Sequence, residues 1–402
     1  MESLVEALKN VLIYGGSFIL VLSLVVFVHE YGHFKAARIC KVAVKSFSIG
    51  MGPAIAQRKD RHGTTWKIAA VPLGGFVSWV DDTDPSSTAP PSEEFRQLSP
   101  EEARARGHFR AQPVGARAFV VAAGPAMNFI FAIVVFALML FAYGRDVTDN
   151  NALSPRLDRI EAGYPAAAAG LRSGDLVRAI DGTPVASFGQ MQAIVKQSPG
   201  EQLALTVERN GETLIVPITP RPQETIDSTG VTSTVGLLGV TRLTLPEERT
   251  IERYGPLQSL AEGAKETWGI VARTGAYVAN IFTGRASAEH IAGPAGILQA
   301  SGQIASASIS GEDTPLGERV MALLRNLLHW AAILSVAVGI VNLLPIPILD
   351  GGHLLFYGIE AVRGGKPLSL QSQEWALRIG LVMLGSLFLF ATWNDIRRIF
   401  FS

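Results

Sequence analysis

The chain has 402 residues, 48% of them hydrophobic, and its 35 basic side chains are balanced by 35 acidic ones. That balance offers none of the basic excess a nucleic-acid partner selects, while a mean hydropathy of +0.27 points toward an integral membrane protein. A single cysteine, Cys40, excludes an intramolecular disulfide and a cysteine-based structural zinc site.

The first apolar run, residues 11–28, continues to about residue 37. It exceeds the hydrophobic region of a signal peptide and is read as a retained anchor, a first transmembrane helix over 1–37. At its end stands His29-Glu30-Tyr31-Gly32-His33. Histidines at i and i+4 share one helix face and can reach one metal ion, while the glutamate between them can act on a water beside it. The pattern is a zinc signature of metallohydrolases. At roughly 1.5 Å per residue the helix crosses most of a hydrocarbon layer before His29, so the chemistry is expected at membrane depth.

Residues 42–49 and 66–80 cluster or alternate β-prone apolar side chains around Gly50-Met51-Gly52-Pro53 and Asp60-Arg61-His62-Gly63, which predicts a membrane-associated β region over 38–80. Residues 81–114 turn polar and rich in Pro, Ser, Glu and Arg, as expected of a mobile cytoplasmic linker with one short helix over 100–106. A second span follows over 115–144. Residues 148–222 read as a compact module: strands at 157–160 and 176–180, a short helix at 166–171, a helix at 188–197, and two strands paired across Asn210-Gly211. The order resembles a circularly permuted PDZ domain, with Ala169-Gly170-Leu171-Arg172-Ser173-Gly174-Asp175 and Ile180-Asp181-Gly182 as the matching residues. Such domains bind peptides by strand addition. One copy is visible.

Residues 223–326 are expected to form an extracytoplasmic connecting region with an amphipathic pattern over 252–283. A third membrane segment is expected over 327–358 and a fourth over 376–396, the latter short and beginning beside Arg378, which would have to snorkel. Lys35, Arg38, Lys41 and Lys45 follow the first span, and Arg104, Arg106, Arg110 and Arg117 precede the second, so that connection is expected in the cytoplasm. Alternation then puts the N-terminus, residues 145–325 and the C-terminus outside. Arg397 and Arg398 run against the rule.

Catalytic zinc takes three protein ligands and keeps one position open, so two histidines are an incomplete set. The best third ligand is Asp350 in Asn342-Leu343-Leu344-Pro345-Ile346-Pro347-Ile348-Leu349-Asp350-Gly351-Gly352. An aspartate at membrane depth costs about 2.5 to 3.5 kcal/mol unless it is paired or coordinated. The first and third spans run in the same direction, which brings His29, His33 and Asp350 to a similar depth. Pro345 and Pro347 break the helix and let Asp350 turn inward, beside protein or a water-filled cavity. Glu30 would then be the general base and acid, and Asn342 would hold the substrate backbone or a developing oxyanion. The plainer alternatives are a turn residue for Asp350 and an interhelical hydrogen bond for Asn342. His353 reads as structural or as a support for the ligands. His62, His108, His290 and His329 read as surface or interfacial residues.

These motifs, with Ala123-Gly124-Pro125-Ala126-Met127-Asn128 in the second span and Val71-Pro72-Leu73-Gly74-Gly75-Phe76 in the β region, resemble the intramembrane site-2 zinc metalloproteases over nearly the whole chain. The resemblance implies a polytopic α-helical membrane protein of about four transmembrane helices, with a membrane-associated β region and an extracytoplasmic PDZ domain of α+β type. It implies a Zn2+-dependent endopeptidase of the bacterial inner membrane, with its active site near the cytoplasmic side and the PDZ domain in the periplasm. Expected partners are single-pass transmembrane substrates such as anti-sigma factors or remnant signal peptides, an upstream extracytoplasmic protease that cuts first, and a peptide or substrate segment at the PDZ domain. Two other classes compete: an inactive membrane PDZ scaffold or quality-control adaptor, against which an intact Glu30 counts, and a metal transporter. A transporter calls for polar residues along several spans, and the second and fourth are read as offering almost none.

Overall fold

The computed structural model describes residues 2–80, 97–310 and 314–401. It divides into two compact units, one comprising Met1–Met139, Leu257–Val271 and Glu289–Ser402, the other Leu140–Pro256 and Ala272–Ala288.

Among the described residues, four helices are long and apolar enough to cross a membrane: Leu8–Ile39, Val114–Tyr143, Leu316–Asn342 and Gln371–Phe400. Their outward faces keep large apolar side chains exposed, including Leu12, Leu138 and Leu389, as a hydrocarbon solvent permits. Small residues set the crossings. Ala132 and Val135 of the second span bury against Ala332 and Val336 of the third, while Val21 and Val25 of the first bury against Ala305, Leu327 and Ala331.

Two of the expected spans change shape. The third begins earlier, at Leu316, and stops at Asn342; the chain turns and resumes as the helix Asp350–Val362. One segment over 327–358 is therefore two helices, because Pro345 and Pro347 cannot donate backbone hydrogen bonds. The fourth helix runs Leu370–Phe400, well past the expected 376–396. Its last turns are held by polar partners: Arg397 meets Glu289 at 2.8 Å and Arg398 meets Asp395 at 2.9 Å. Asp395, fully buried, also accepts the backbone N–H groups of Gly293 and Gly296 at the start of the helix Pro294–Ile309, the end at which a carboxylate is most favourable. The two arginines that oppose the charge rule are thus paired in place.

The β region is a hairpin, Val44–Lys59 against Thr65–Trp79. Gly50-Met51-Gly52-Pro53 is a bend within the first strand instead of its end, since Gly50 and Gly52 take φ of 86° and 87°. With a second bend at Gly74 (φ 77°), residues 46–49 pair with 75–78 on one side and with 65–68 on the other. Residues 75–79 then form an edge. Asp60 closes the hairpin turn, accepting from Arg38, from Trp66 Nε1 at 3.2 Å and from the N–H groups of His62 and Thr64. Desolvation raises its carboxyl, but these hydrogen bonds outweigh that and hold it at about 2.

Residues 81–96 of the expected linker lie outside the described residues. The short helix is present as Pro100–Ala105, with Ser99 and Glu102 in a reciprocal cap. The remainder is not a mobile linker: His108 and Gln112 are buried, and Phe109 stacks on Trp79 at 5.1 Å. His108, expected at the surface or an interface, is 5% exposed because it belongs to this packed return toward the second span.

The second unit is built on a sheet of four strands, Thr183–Pro184, Leu176–Ile180, Leu203–Arg209 and Glu212–Ile218 in that spatial order, with the helix Phe188–Gln197 over it. The helix and the Asn210-Gly211 turn fall where the sequence places them. The expected boundary at 222 is too early. Strands continue through Thr232–Leu237 and Val240–Thr241, the last pairs with Arg159–Ile160, and Leu238 joins the core of Leu157, Val177, Met191 and Leu205.

Asp175 ties this unit together. It is 1% exposed, accepts both Arg209 Nε and an Arg209 terminal nitrogen at 2.7 Å, and accepts the N–H of Arg172. Burial alone would raise its carboxyl; the arginine and the backbone donor prevail and pull it below the usual range. A depressed carboxylate stabilises the fold above its unfolded pKa of about 4 and loses that contribution as pH falls through the folded value. Asp175→Asn is expected to destabilise the unit by about 3 kcal/mol, the low end for a broken buried pair, since Arg209 keeps the Gly170 carbonyl as a partner. It should also flatten the stability loss below about pH 4. Thermal melts of the full chain in detergent, followed by protease accessibility of this unit, measure both.

Candidate active site

The first helix carries His29 and His33 one turn apart on one face, with their Nε2 atoms 3.2 Å from each other. They can sit there because the second span approaches closely. A Cβ on Gly124 would collide with the His33 imidazole and fall 3.0 Å from His29 Cε1, and a Cβ on Gly32 would run into the Ala123 carbonyl and come within 2.9 Å of Met127 Cβ. Glycine on both helices permits the crossing.

Both imidazoles are held from behind by that second span. His33 Nδ1 lies 3.0 Å from the Val120 carbonyl, and His29 Nδ1 lies 3.1 Å from the amide of Asn128. Asn128 is in turn 3.1 Å from Ser335 Oγ on the third span, and both are fully buried. The sequence reading quoted Asn128 within the motif of the second span but gave it no role. The signal available was an asparagine in the middle of an otherwise apolar run.

Asp350 arrives from the far end of the chain as the first residue of Asp350–Val362, released from the third span by the proline-containing turn. Its Oδ2 is 3.2 Å from His29 Nε2 and 3.5 Å from His33 Nε2. The structure therefore brings together His29, His33 and Asp350, whose ligand atoms all lie within 4.8 Å of one another. Asp350 Oδ2 is buried and makes no hydrogen bond despite these neighbours. Two imidazole nitrogens and an unsatisfied carboxylate oxygen aimed at one point are a donor set that fits a divalent metal ion of the zinc type.

The three residues and Glu30 open into a cavity of about 470 Å3. Its walls are the hairpin edge at Gly75, Phe76, Val77 and Trp79, together with Phe109, Val121, Ile348, His353, Tyr357, Leu377, Arg378 and Leu381. The N–H of Val77 reaches the Glu30 carboxyl, so the edge strand fixes the glutamate as well as lining the space. Apolar walls with a few convergent polar groups are the usual build of a binding cavity. Asn342 closes the third span and is not among the wall residues.

His353, which the sequence reading left as structural or as a support for the ligands, and Tyr357 and Arg378, which it did not assign to a site, are all wall residues. For the first two a signal existed: Asp350, His353 and Tyr357 stand at i, i+3 and i+7, one face of a helix. Behind Tyr357, Arg117 pairs with Glu360 at 2.6 Å and lies 4.8 Å from the Tyr357 ring centre, with both charged side chains largely buried. That pair braces the Asp350 helix against the second span.

Comparison with known proteins agrees with this arrangement. The model of peptidase family M50 matches residues 17–387. The chain is 42% identical over 385 residues to "Putative zinc metalloprotease Atu1380" of Agrobacterium fabrum, covering 94% of each protein. It is 36% identical to "Metalloprotease MmpA" of Caulobacter vibrioides, covering 95% of each. To "Regulator of sigma-E protease RseP" of Salmonella typhimurium it is 29% identical, over 95% of this chain and 98% of that one. The family resemblance carried by the motifs is borne out along the length of the sequence, and the chain belongs to peptidase family M50.

Proposed function

We propose that this peptidase is a zinc endopeptidase that cleaves single-pass transmembrane proteins within the membrane. The observation that carries the reading is the convergence of His29, His33 and Asp350 beside Glu30, at the end of an apolar helix and at the wall of a cavity. Relatives whose names describe them as zinc metalloproteases support the choice of metal. In this reading His29, His33 and Asp350 would hold the zinc, which would supply Lewis-acid polarisation of the scissile carbonyl and a more acidic attacking water, of pKa about 7. Glu30 takes the proton of that water and returns it to the leaving amine. Asn342 remains the proposed contact for substrate backbone, reached by a segment that extends beyond the cavity walls.

A helix hides its peptide groups in its own hydrogen bonds, so a substrate must unwind before it can be cut. The edge at residues 75–79 offers the replacement partner, since strand addition satisfies an extended backbone where water is scarce. The wall residues Gly75, Phe76 and Val77 lie on that edge. The charge distribution supports a catalytic cavity near the cytoplasmic face of a bacterial inner membrane. The second unit is read as a PDZ domain in the periplasm. A groove of about 70 Å3 between the helix Phe188–Gln197 and residues 236–240, lined by Met191, Val195 and Leu238, supports a peptide ligand there. Anti-sigma factors or remnant signal peptides, first trimmed by another protease, are the substrates this reading favours.

Glu30→Gln is expected to keep one zinc per chain and to lose at least about 100-fold in cleavage of a transmembrane model substrate. Equal cleavage by both proteins would dispose of the reading, and no cleavage by either would decide for the inactive scaffold. Proline placed singly along residues 75–79 is expected to slow cleavage where it removes an outward N–H, with zinc retained; unchanged turnover throughout the series counts against strand addition. Gly124→Ala should lower zinc content, because the added methyl occupies the space of the His33 ring, and metal analysis of the purified chain measures it.

A further inference from the structure

The two histidines are wired differently, and the difference has a chemical consequence. A histidine binds metal through Nε2 only when Nε2 carries no proton, so its remaining proton must sit on Nδ1. For His33 this is settled by the backbone: the Val120 carbonyl 3.0 Å from Nδ1 can only accept. For His29 it is settled by a side chain that can do either. Asn128 faces His29 Nδ1 with Nδ2 of its amide, at 3.1 Å, and Ser335 Oγ with Oδ1, at 3.1 Å, and a half-turn of the amide exchanges the two ends without moving any other atom. Ser335 Oγ also lies 3.1 Å from the main-chain carbonyl of Asn128.

Consider the amide with its oxygen toward His29. Oδ1 then accepts from His29 Nδ1–H, Nδ2 donates to Ser335 Oγ, and the Ser335 hydroxyl donates to the Asn128 carbonyl. Every group is used once and the His29 Nε2 lone pair points at Asp350 and His33. With the amide reversed, Nδ2 donates to Nδ1, the proton of neutral His29 moves to Nε2, and that atom cannot bind a metal. The hydroxyl of Ser335, both donor and acceptor, satisfies either orientation. We propose that Asn128, backed by Ser335, is a positioning residue that selects the metal-binding tautomer of His29; this rests on the zinc-site reading above.

A merely structural role, an amide joining the second and third spans, makes a different prediction. An aspartate at 128 can only accept, so it forces the proton onto His29 Nδ1, as carboxylates behind metal-bound histidines do. A structural amide would instead be harmed by a buried charge as much as by an apolar replacement. The test is zinc affinity of the full-length chain in detergent, by competition with a chromophoric chelator, together with the visible spectrum of the cobalt-substituted protein. Asn128→Leu is expected to weaken zinc binding about 10- to 100-fold, Ser335→Ala to weaken it less, and Asn128→Asp to match or exceed the unmodified chain, with a tetrahedral cobalt spectrum.

The proposal is overturned if Asn128→Leu binds zinc as tightly as the unmodified chain, or if Asn128→Asp binds as weakly as Asn128→Leu. Should Asn128→Leu fail to fold, the order of Asn128→Asp and Ser335→Ala decides: aspartate no tighter than Ser335→Ala overturns it. His33→Ala is measured in parallel. If it binds zinc like the unmodified chain, the zinc-site reading itself falls and takes this inference with it; if it loses zinc while the residue 128 variants do not, only this inference falls.

Discussion

Two imidazoles and a carboxylate facing one another inside an apolar bundle are the constraint on which the rest of this structure depends. In hydrocarbon an unpartnered polar group costs several kcal/mol, and no solvent is at hand to relieve it. The unsatisfied Asp350 Oδ2, 3.2 and 3.5 Å from two ring nitrogens, therefore completes a donor set that fits a single ion between all three. The architecture supplies the geometry from distant parts of the chain: one apolar helix for the histidines, a broken one for the aspartate.

Bringing them together demands unusual local structure, and each departure from regularity has a cause in the sequence. Glycines at 32 and 124 let the first two spans touch where any other residue would collide. Prolines at 345 and 347 end the third span and redirect the chain, so that a new helix starts with Asp350 in its first turn. The bends at Gly50, Gly52 and Gly74 fold a simple hairpin back on itself, which carries its 75–79 edge to the cavity wall and the Val77 N–H to Glu30. In water such irregular backbone would cost little. At membrane depth it persists only where protein or a cavity surrounds it.

What the sequence disclosed follows from the range over which each signal acts. The i, i+4 histidines and the proline break are local patterns with a direct geometric meaning, so His29, His33 and Asp350 were legible before any coordinates. The helix Phe188–Gln197 and the Asn210-Gly211 turn were equally readable, being set by nearby residues. Long-range pairings were not. Nothing near Asn128 announces that it sits between His29 and Ser335, and nothing near Arg378 announces a cavity in place of a lipid surface. The boundary of the second unit failed for the same reason: Leu238 belongs to a core assembled from residues between Leu153 and Ile218, far back along the chain. His108, without a partner at ligand spacing, read as a surface or interfacial residue, and the stacking of Phe109 on Trp79 draws its segment inward.

The Asp350 helix joins these threads. One rigid element delivers the carboxylate at its first residue and the wall residues His353 and Tyr357 on the same face, and it is anchored through Glu360 to Arg117 at the start of the second span. The second span holds both histidines from behind, through Val120 and Asn128. Any shift of the Asp350 helix relative to the first span must therefore break a buried ion pair as well as the donor cluster. A buried charge left alone costs more than the pair returns, which makes the Arg117–Glu360 contact a constraint on register more than a source of stability. The cavity wall and the proposed ligands are thus fixed to one frame, as chemistry requiring sub-ångström placement demands.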